Sequence, residues 1–456
     1  MSERSVIARH AITVLAGQLA VMAFGVADTI VAGRHSAEAL AALSIGAAIF
    51  ISIYVALMGM LQALLPIWAE QHGAQEQRAI GVSLRQSLYL CAMATLAGMA
   101  VLLSPGAILR WTEVPAALRG DVESYLTIVA FALPAALLFR IYSTLNQALG
   151  RPQLVTWLQV GSLGIKIPLS IWFTFGGGGL PAMGVVGCAW ATLVVNVSLL
   201  GLAMGMLRTQ AMYRPLDIWR TLERPDWAHI GRFARLGVPA GLSILVEVTS
   251  FTLMALFIAR QGTLASAAHQ IASNLTAVLY MVPLSLAIAT SARVSYWRGA
   301  GQEAQARSVA WMGFWMAAGL GMALALLLLL ARQPLAGLYS TSAEVVALTT
   351  SLLLWVAGYH VADALQTLCI FVLRCYRITF APLAVYCVLL WGGGLAGGYL
   401  LAYRGVAGLG PLASPAPFWA ASAVALAVTA VTFSIMLLRA LRPKEPFTPL
   451  PAHQKR

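Results

Sequence analysis

Three carboxylates interrupt stretches of chain that are otherwise apolar. Asp28 lies in ITVLAGQLAVMAFGVADTIVAG, Glu247 in GVPAGLSILVEVTSFTLMALFIA, and Asp363 in LLLWVAGYHVADALQTLCIFVL. Each stretch is long enough to cross a bilayer as a helix. A charge placed at membrane depth costs roughly 2.5–3.5 kcal/mol on insertion scales, so such a residue usually faces a cavity and handles an ion, a proton or a substrate. The alternative is a carboxylate hydrogen-bonded between helices for packing alone, which becomes a poor explanation when three occur together.

Spacing adds to the signal. Tyr359 and Asp363 stand four apart and Asp363 and Gln366 three apart, so all three share one side of a helix. Glu247 comes from another helix of the same half, so two carboxylates can converge with hydroxyl and amide groups. Hard cations prefer oxygen ligands, so Na⁺ bound by Glu247 and Asp363 is one reading. Without a metal, two carboxylates close together cannot both stay ionised cheaply, so one carries a proton. Either way the pair is a cation site.

The elements that must hold these residues are transmembrane helices. Of 456 residues 60% are hydrophobic and 10% charged, and the mean hydropathy is +0.81, which excludes a soluble globular protein. Twelve apolar segments are predicted, at 11–33, 44–69, 86–108, 122–146, 153–175, 184–207, 233–259, 267–292, 308–331, 347–373, 381–403 and 417–440. The short alternating strands of a β-barrel are absent from the pattern. The fold class is therefore an all-α polytopic membrane protein.

A net charge of +13 could suggest a nucleic-acid partner, but its distribution points to topology instead. Of the 29 lysines and arginines, Arg34, Arg110, Arg119, Arg260, Arg332 and Arg404 fall on one side of the membrane. Arg140 and Lys166 fall within helices, and the rest lie on the side of the two termini. That asymmetry places both termini in the cytoplasm of a bacterial-type inner membrane. The five cysteines (Cys91, Cys188, Cys369, Cys375, Cys387) sit in apolar segments without metal-ligand spacing and read as small buried hydrophobes. The opening MSERSVIARH has no cleavable signal pattern.

One polar interruption, 208–232, divides the chain into an N-lobe (1–207) and a C-lobe (233–440), followed by a tail (441–456). A constant offset of 226 relates the lobes without a gap: Arg34 to Arg260, His72-Gly73-Ala74 to Arg298-Gly299-Ala300, Arg151 to Arg377. An even number of crossings per half makes these parallel repeats, with the binding region expected between them. Pro66, Pro134, Pro168, Pro239 and Pro283 fall inside or near the starts of helices, where each removes a backbone donor. Gly176–Gly179 reads as a turn, and Gly392–Gly394 with Gly397-Gly398 as a place where helices approach closely.

Taken in order, VADTIVAG (26–33), LQALLPIWAEQHGA (61–74), LNQALGRPQ (145–153), RLGVPAGLSILVEVTSF (235–251), AAHQIASNL (267–275) and YHVADALQTL (359–368) resemble the multidrug and toxic compound extrusion (MATE) family, most closely its NorM-type branch. The resemblance implies two V-shaped six-helix lobes and antiport, in which inward Na⁺ or H⁺ drives export of cationic, often aromatic drugs or dyes. It implies no cofactor beyond the coupling ion, no nucleic acid, and a monomer in the lipid bilayer. By position, Asp28 matches the family's first-helix Asp. Glu247 and Asp363 match its second-lobe acidic pair, Tyr359 the preceding tyrosine, and His269, Gln270 and Asn274 a polar face of the eighth helix. The expected coupling-cation site is thus Glu247, Asp363, Tyr359, Asn274 and Gln270, with Asp28, His269 and Gln366 expected along the substrate cavity.

One departure stands out. Where relatives carry an Asn in the fifth helix, this chain has Lys166, with Ser170 one turn on. Pairing of Lys166 with Asp28 would neutralise both and leave the N-lobe a poor Na⁺ site; the alternative is a lysine reaching an interface. Thr13 and Ser295 replace the usual Pro and Gly. His360 points about 100° away from Tyr359 and reads as packing. Two rival functions remain at this stage. A lipid-linked saccharide flippase of the same superfamily would need an arginine-lined cavity, whereas the deep charges here are mostly acidic. An intramembrane enzyme would show H-E-x-x-H or a Walker-A lysine, and neither is present.

Overall fold

A computed structural model of the chain describes residues 2–106, 109, 115–405 and 410–442. The end of the third predicted span (107–108), Arg110 and the tail from 443 onward lie outside them. Among the described residues twelve helices are long and apolar enough to cross a membrane: α1 Glu3–His35, α2 Ala37–Gly73, α3 Gln77–Leu102, α4 Ala116–Ala148, α5 Pro152–Phe175, α6 Val185–Thr209, α7 Trp227–Ala259, α8 Thr263–Gly299, α9 Glu303–Tyr339, α10 Ala343–Cys375, α11 Phe380–Arg404 and α12 Ala416–Ala440. No strand occurs among the described residues. Each helix satisfies its own backbone, which is what lets it lie in hydrocarbon.

Local chemistry sets the helix ends. Ser36 caps α2 by accepting from Ala39 N–H at 3.0 Å, and Asp226 caps α7 by accepting from Ala228 and His229 N–H. That cap starts α7 six residues earlier than the hydropathy pattern, which only sees where the apolar run begins. The linker is also no free loop. It makes a 3₁₀ turn, Ala211–Leu216, and docks on α3: Arg85 pairs with Glu223 at 2.7 Å, Gln86 donates to the Arg224 carbonyl and Tyr89 to that of Glu223.

Pro134, Pro168, Pro239 and Pro283 lie inside helices, and Pro66 opens the second piece of α2, Leu65–Gly73, after a break at Ala63-Leu64. Most of α11 winds as π-helix, at Cys387–Ala396 and Leu400–Arg404. Its Gly394 and Gly398 face Ser422 and Phe418 of α12, where a Cβ would meet them at 3.5 and 2.8 Å. Gly176–Gly179 form a turn in which all four residues have positive φ.

Within the first six helices α1 packs on α5 and α4 on α6; within the last six α8, α9 and α12 pack on α10. The two sets meet where α2 crosses α7 and α1 crosses α8. On the face that carries the linker, the ends of α2 and α8 touch in a near-symmetric way. A Cβ on Gly73 would collide with the Tyr296 carbonyl, and one on Gly299 with that of Glu70. Two ion pairs flank this contact: Glu3 with Arg293 at 2.5 Å and Glu70 with Arg377 at 2.6 Å.

The repeat is gapless only in part. After α2 and α8 the left-handed residues are Gln75 and Gly301, which keeps the offset of 226, but after α4 and α10 they are Gly150 and Arg377, an offset of 227. The starts of α3 and α9 still differ by 226 and those of α4 and α10 by 227. One residue more therefore separates the starts of α9 and α10 than those of α3 and α4. Arg151 and Arg377 are consequently not equivalent positions.

The glycine contact can be tested. Gly299→Val places branched bulk against backbone that cannot rotate away, and overpacking of this kind costs about 1–3 kcal/mol. We expect a lower melting temperature in detergent and slower cross-linking of cysteine pairs placed across the linker face; a variant with wild-type behaviour in both would contradict the close contact.

Candidate functional site

Two polar centres lie inside the apolar bundles, one in each lobe, and they are built differently. In the N-lobe, α1 brings Asp28 against α5, which contributes Lys166 and Ser170 one turn apart. Lys166 Nζ stands 2.8 Å from Asp28 Oδ2 and also donates to Thr192 Oγ1 at 2.8 Å and to the Cys188 carbonyl at 3.2 Å. An ammonium has three N–H groups, and all three are used. Ser170 donates to the other Asp28 oxygen at 2.8 Å. Lys166 is 1% exposed, so it does not reach an interface. The pair is charge-neutral and its hydrogen bonds are met.

In the C-lobe, α10 presents Tyr359, Asp363, Gln366 and Thr367, all buried. Asp363 Oδ1 accepts from Gln366 Nε2 at 2.9 Å and from Thr367 Oγ1 at 3.5 Å. Gln366 Oε1 in turn accepts from Tyr386 of α11. Glu247 is half-buried on α7. Thr379, just past α10, donates to the Arg235 carbonyl on α7 and so fixes the relative height of the two helices. Counted from that contact, Glu247 stands twelve residues along α7, and Asp363 stands twelve residues before the end of α10 at Cys375. The charged groups acting on Glu247 are Asp363 and the buried Arg374, and Tyr280 of α8 adjoins both carboxylates. Among the described residues no salt bridge involves Glu247 or Asp363.

Several expected residues lie elsewhere. Gln270 and Asn274 are exposed on a stripe of α8 turned away from the buried one, and Asn274 accepts from Tyr339 OH at 3.0 Å rather than joining the carboxylates. His269, one residue from Gln270, is turned about 100° inward, where it contacts Ser273 and the Trp419 ring. The expected polar face of α8 is thus two faces. Asp28 is held by Lys166, and Gln366 by Asp363 and Tyr386. Tyr359 packs its ring edge-on against Phe251 and Trp419. His360 is fully buried with neither ring nitrogen bonded, consistent with packing.

Sequence reasoning missed Thr367, Tyr386, Tyr280 and Arg374. Thr367 was within reach, since it follows Asp363 by four residues. The others come from different helices or from three turns away, and nothing in local spacing marks them. Among the described residues no cluster of three or more His, Cys, Asp or Glu side chains could hold a metal ion. The C-lobe oxygen donors are instead carboxylate, hydroxyl and amide, a set that suits a hard monovalent cation or a proton.

The N-lobe pair predicts a thermodynamic cycle. Removing one partner of a buried ion pair costs about 3–5 kcal/mol because it strands the other charge. Lys166→Met and Asp28→Asn should each lower the melting temperature sharply, and the double variant should recover most of the loss. Additive losses would contradict the pairing.

Comparison with known proteins agrees with this architecture. The MatE family model matches residues 14–172 and 239–400, one match in each lobe. The chain is 37% identical to a probable multidrug resistance protein NorM of Aromatoleum aromaticum, covering 95% of this chain and 93% of that one. It is 32% identical to the multidrug resistance protein PmpM of Pseudomonas aeruginosa, over 94% and 90%. Among solved structures, a eukaryotic MATE transporter, AtDTX14, superposes with a TM-score of 0.86 at 19% identity, covering 96% and 97%. The Vibrio cholerae MATE transporter VcmN in its bent form does so at 0.81 and 18%, covering 97% of each chain. With two matched halves, twelve spans and full-length relatives, the chain belongs to the MatE family of multi-pass membrane transporters and is not an enzyme.

Proposed function

We propose that this protein is a secondary multidrug exporter whose coupling cation, Na⁺ or H⁺, binds between Glu247 and Asp363. The observation that carries the reading is the contrast between the lobes. Asp28 has its counter-charge built in as Lys166, whereas neither C-lobe carboxylate has a salt-bridge partner among the described residues. Anionic groups left in hydrocarbon must acquire a cation from outside. The relatives' names supply the transport class, and the planar, cationic substrates are inferred from it.

In the mechanism, a cation reaching Glu247 and Asp363 neutralises them, and the C-lobe helices repack around the discharged pair. Gln366 and Thr367 hold Asp363 in place while its charge changes, and Tyr386 anchors Gln366. The drug leaves as the lobes change their opening, and release of the cation to the cytoplasm restores the charged pair. We place both termini and the linker on the cytoplasmic side, from the basic residues clustered there. One charge falling through 100 mV supplies about 2.3 kcal/mol, enough for a roughly fifty-fold substrate gradient.

The test uses liposomes carrying the purified protein, ethidium as substrate, and Na⁺ and proton gradients imposed separately. Glu247→Gln and Asp363→Asn should fold yet export no faster than protein-free liposomes under either gradient. Full export by both variants would end the proposal. A Thr367→Val variant should retain export with a weaker cation dependence, since only one donor to Asp363 is lost.

A further inference from the structure

Between the lobes, on the linker face, lies a cavity of about 370 Å³ that the transport reading leaves unused. It is lined by Arg9 and His10 of α1, His72 of α2, Gln147 and Gln153 around the end of α4, and Arg293 of α8. Its walls contain polar atoms with no hydrogen-bond partner: His10 Nε2, His72 Nδ1 and Gln147 Oε1. His10 is 6% exposed and Gln147 4%, so water outside the cavity cannot serve them. Buried polar atoms left unpaired in this way are costly, which makes a polar occupant favourable.

The wall chemistry identifies the occupant. Glu3 takes Nε and Nη2 of Arg293 at 3.0 and 2.5 Å, which leaves Nη1 for another acceptor, and Arg9 has no salt-bridge partner among the described residues. Each neutral imidazole can offer one N–H. The Gln147 amide donates to Ser143 Oγ at 3.2 Å, but a hydroxyl both donates and accepts, so turning the amide over keeps that bond and presents its N–H₂ to the cavity. The set is then cationic and rich in donors. Basic pockets between helices at the cytoplasmic surface suit phosphate headgroups.

We propose that this cavity binds a phosphate oxyanion, either as free phosphate or as the headgroup of an anionic phospholipid. Because α1, α2 and α4 belong to one lobe and α8 to the other, the bound anion holds the linker-face ends together and favours the arrangement in which Gly73 and Gly299 are in contact. The site is separate from the carboxylates, so loss of coupling at Glu247 or Asp363 leaves it intact.

The experiment measures thermal unfolding of the full chain in two settings: detergent with added inorganic phosphate, and nanodiscs of phosphatidylcholine with or without phosphatidylglycerol. Arg9→Gln, at an exposed position, is compared with wild type, and His72→Phe provides a second variant. A saturable rise in melting temperature with phosphate, weakened about tenfold or more in apparent affinity by Arg9→Gln, supports free phosphate as the ligand. A rise seen only with phosphatidylglycerol and lost in both variants supports the lipid. No rise in either setting, or a rise that both variants keep in full, overturns the proposal.

Discussion

An ionised side chain in hydrocarbon must have a counter-charge, and the two lobes of this protein meet that demand in opposite ways. Lys166 spends all three of its N–H groups on Asp28, Thr192 and the Cys188 backbone, which makes the N-lobe centre complete as it stands. In the C-lobe the donors to Asp363 are neutral: Gln366 and Thr367 orient it without cancelling its charge. The charge of Asp363 also acts on Glu247. The N-lobe pair is thus a structural tie, and the C-lobe pair is where an external cation has something to neutralise.

This asymmetry is imposed on a framework that is nearly symmetric. The ends of α2 and α8 contact each other through Gly73 and Gly299 in equivalent ways, and the ion pairs Glu3–Arg293 and Glu70–Arg377 bridge the lobes beside them. The glycines allow backbone to meet backbone, and such a contact is either made or broken rather than gradually stretched. A two-state interface of that kind is what a change at the C-lobe carboxylates has to bias. The linker is tied to α3 by Arg85 and by Gln86, which also accepts from Asp226 N–H at the start of α7.

Much of this was legible in the sequence, for a physical reason. Apolar runs of bilayer length reveal spans directly, and a lone charge inside such a run is costly enough to mark itself, as Asp28, Lys166, Glu247 and Asp363 do. Helical spacing placed Tyr359, Asp363 and Gln366 on one side of α10. What stayed hidden needed the fold. Gln270 and Asn274 share a sequence motif with His269, but one residue of helical rotation turns them outward. Tyr386 reaches Gln366 from a different helix, and Tyr280 reaches the carboxylates from α8. The single-residue slip in the repeat falls between the starts of α9 and α10, and hydropathy carries no register.

The most direct measurement is infrared difference spectroscopy of the purified protein as Na⁺ is added or the pH is lowered, reading carboxyl bands in wild type, Asp28→Asn, Glu247→Gln and Asp363→Asn. If the N-lobe pair is already neutralised within the chain, the cation-induced bands should survive Asp28→Asn and vanish when Glu247 or Asp363 is replaced. Bands that disappear with Asp28→Asn and persist without the C-lobe carboxylates would contradict the account.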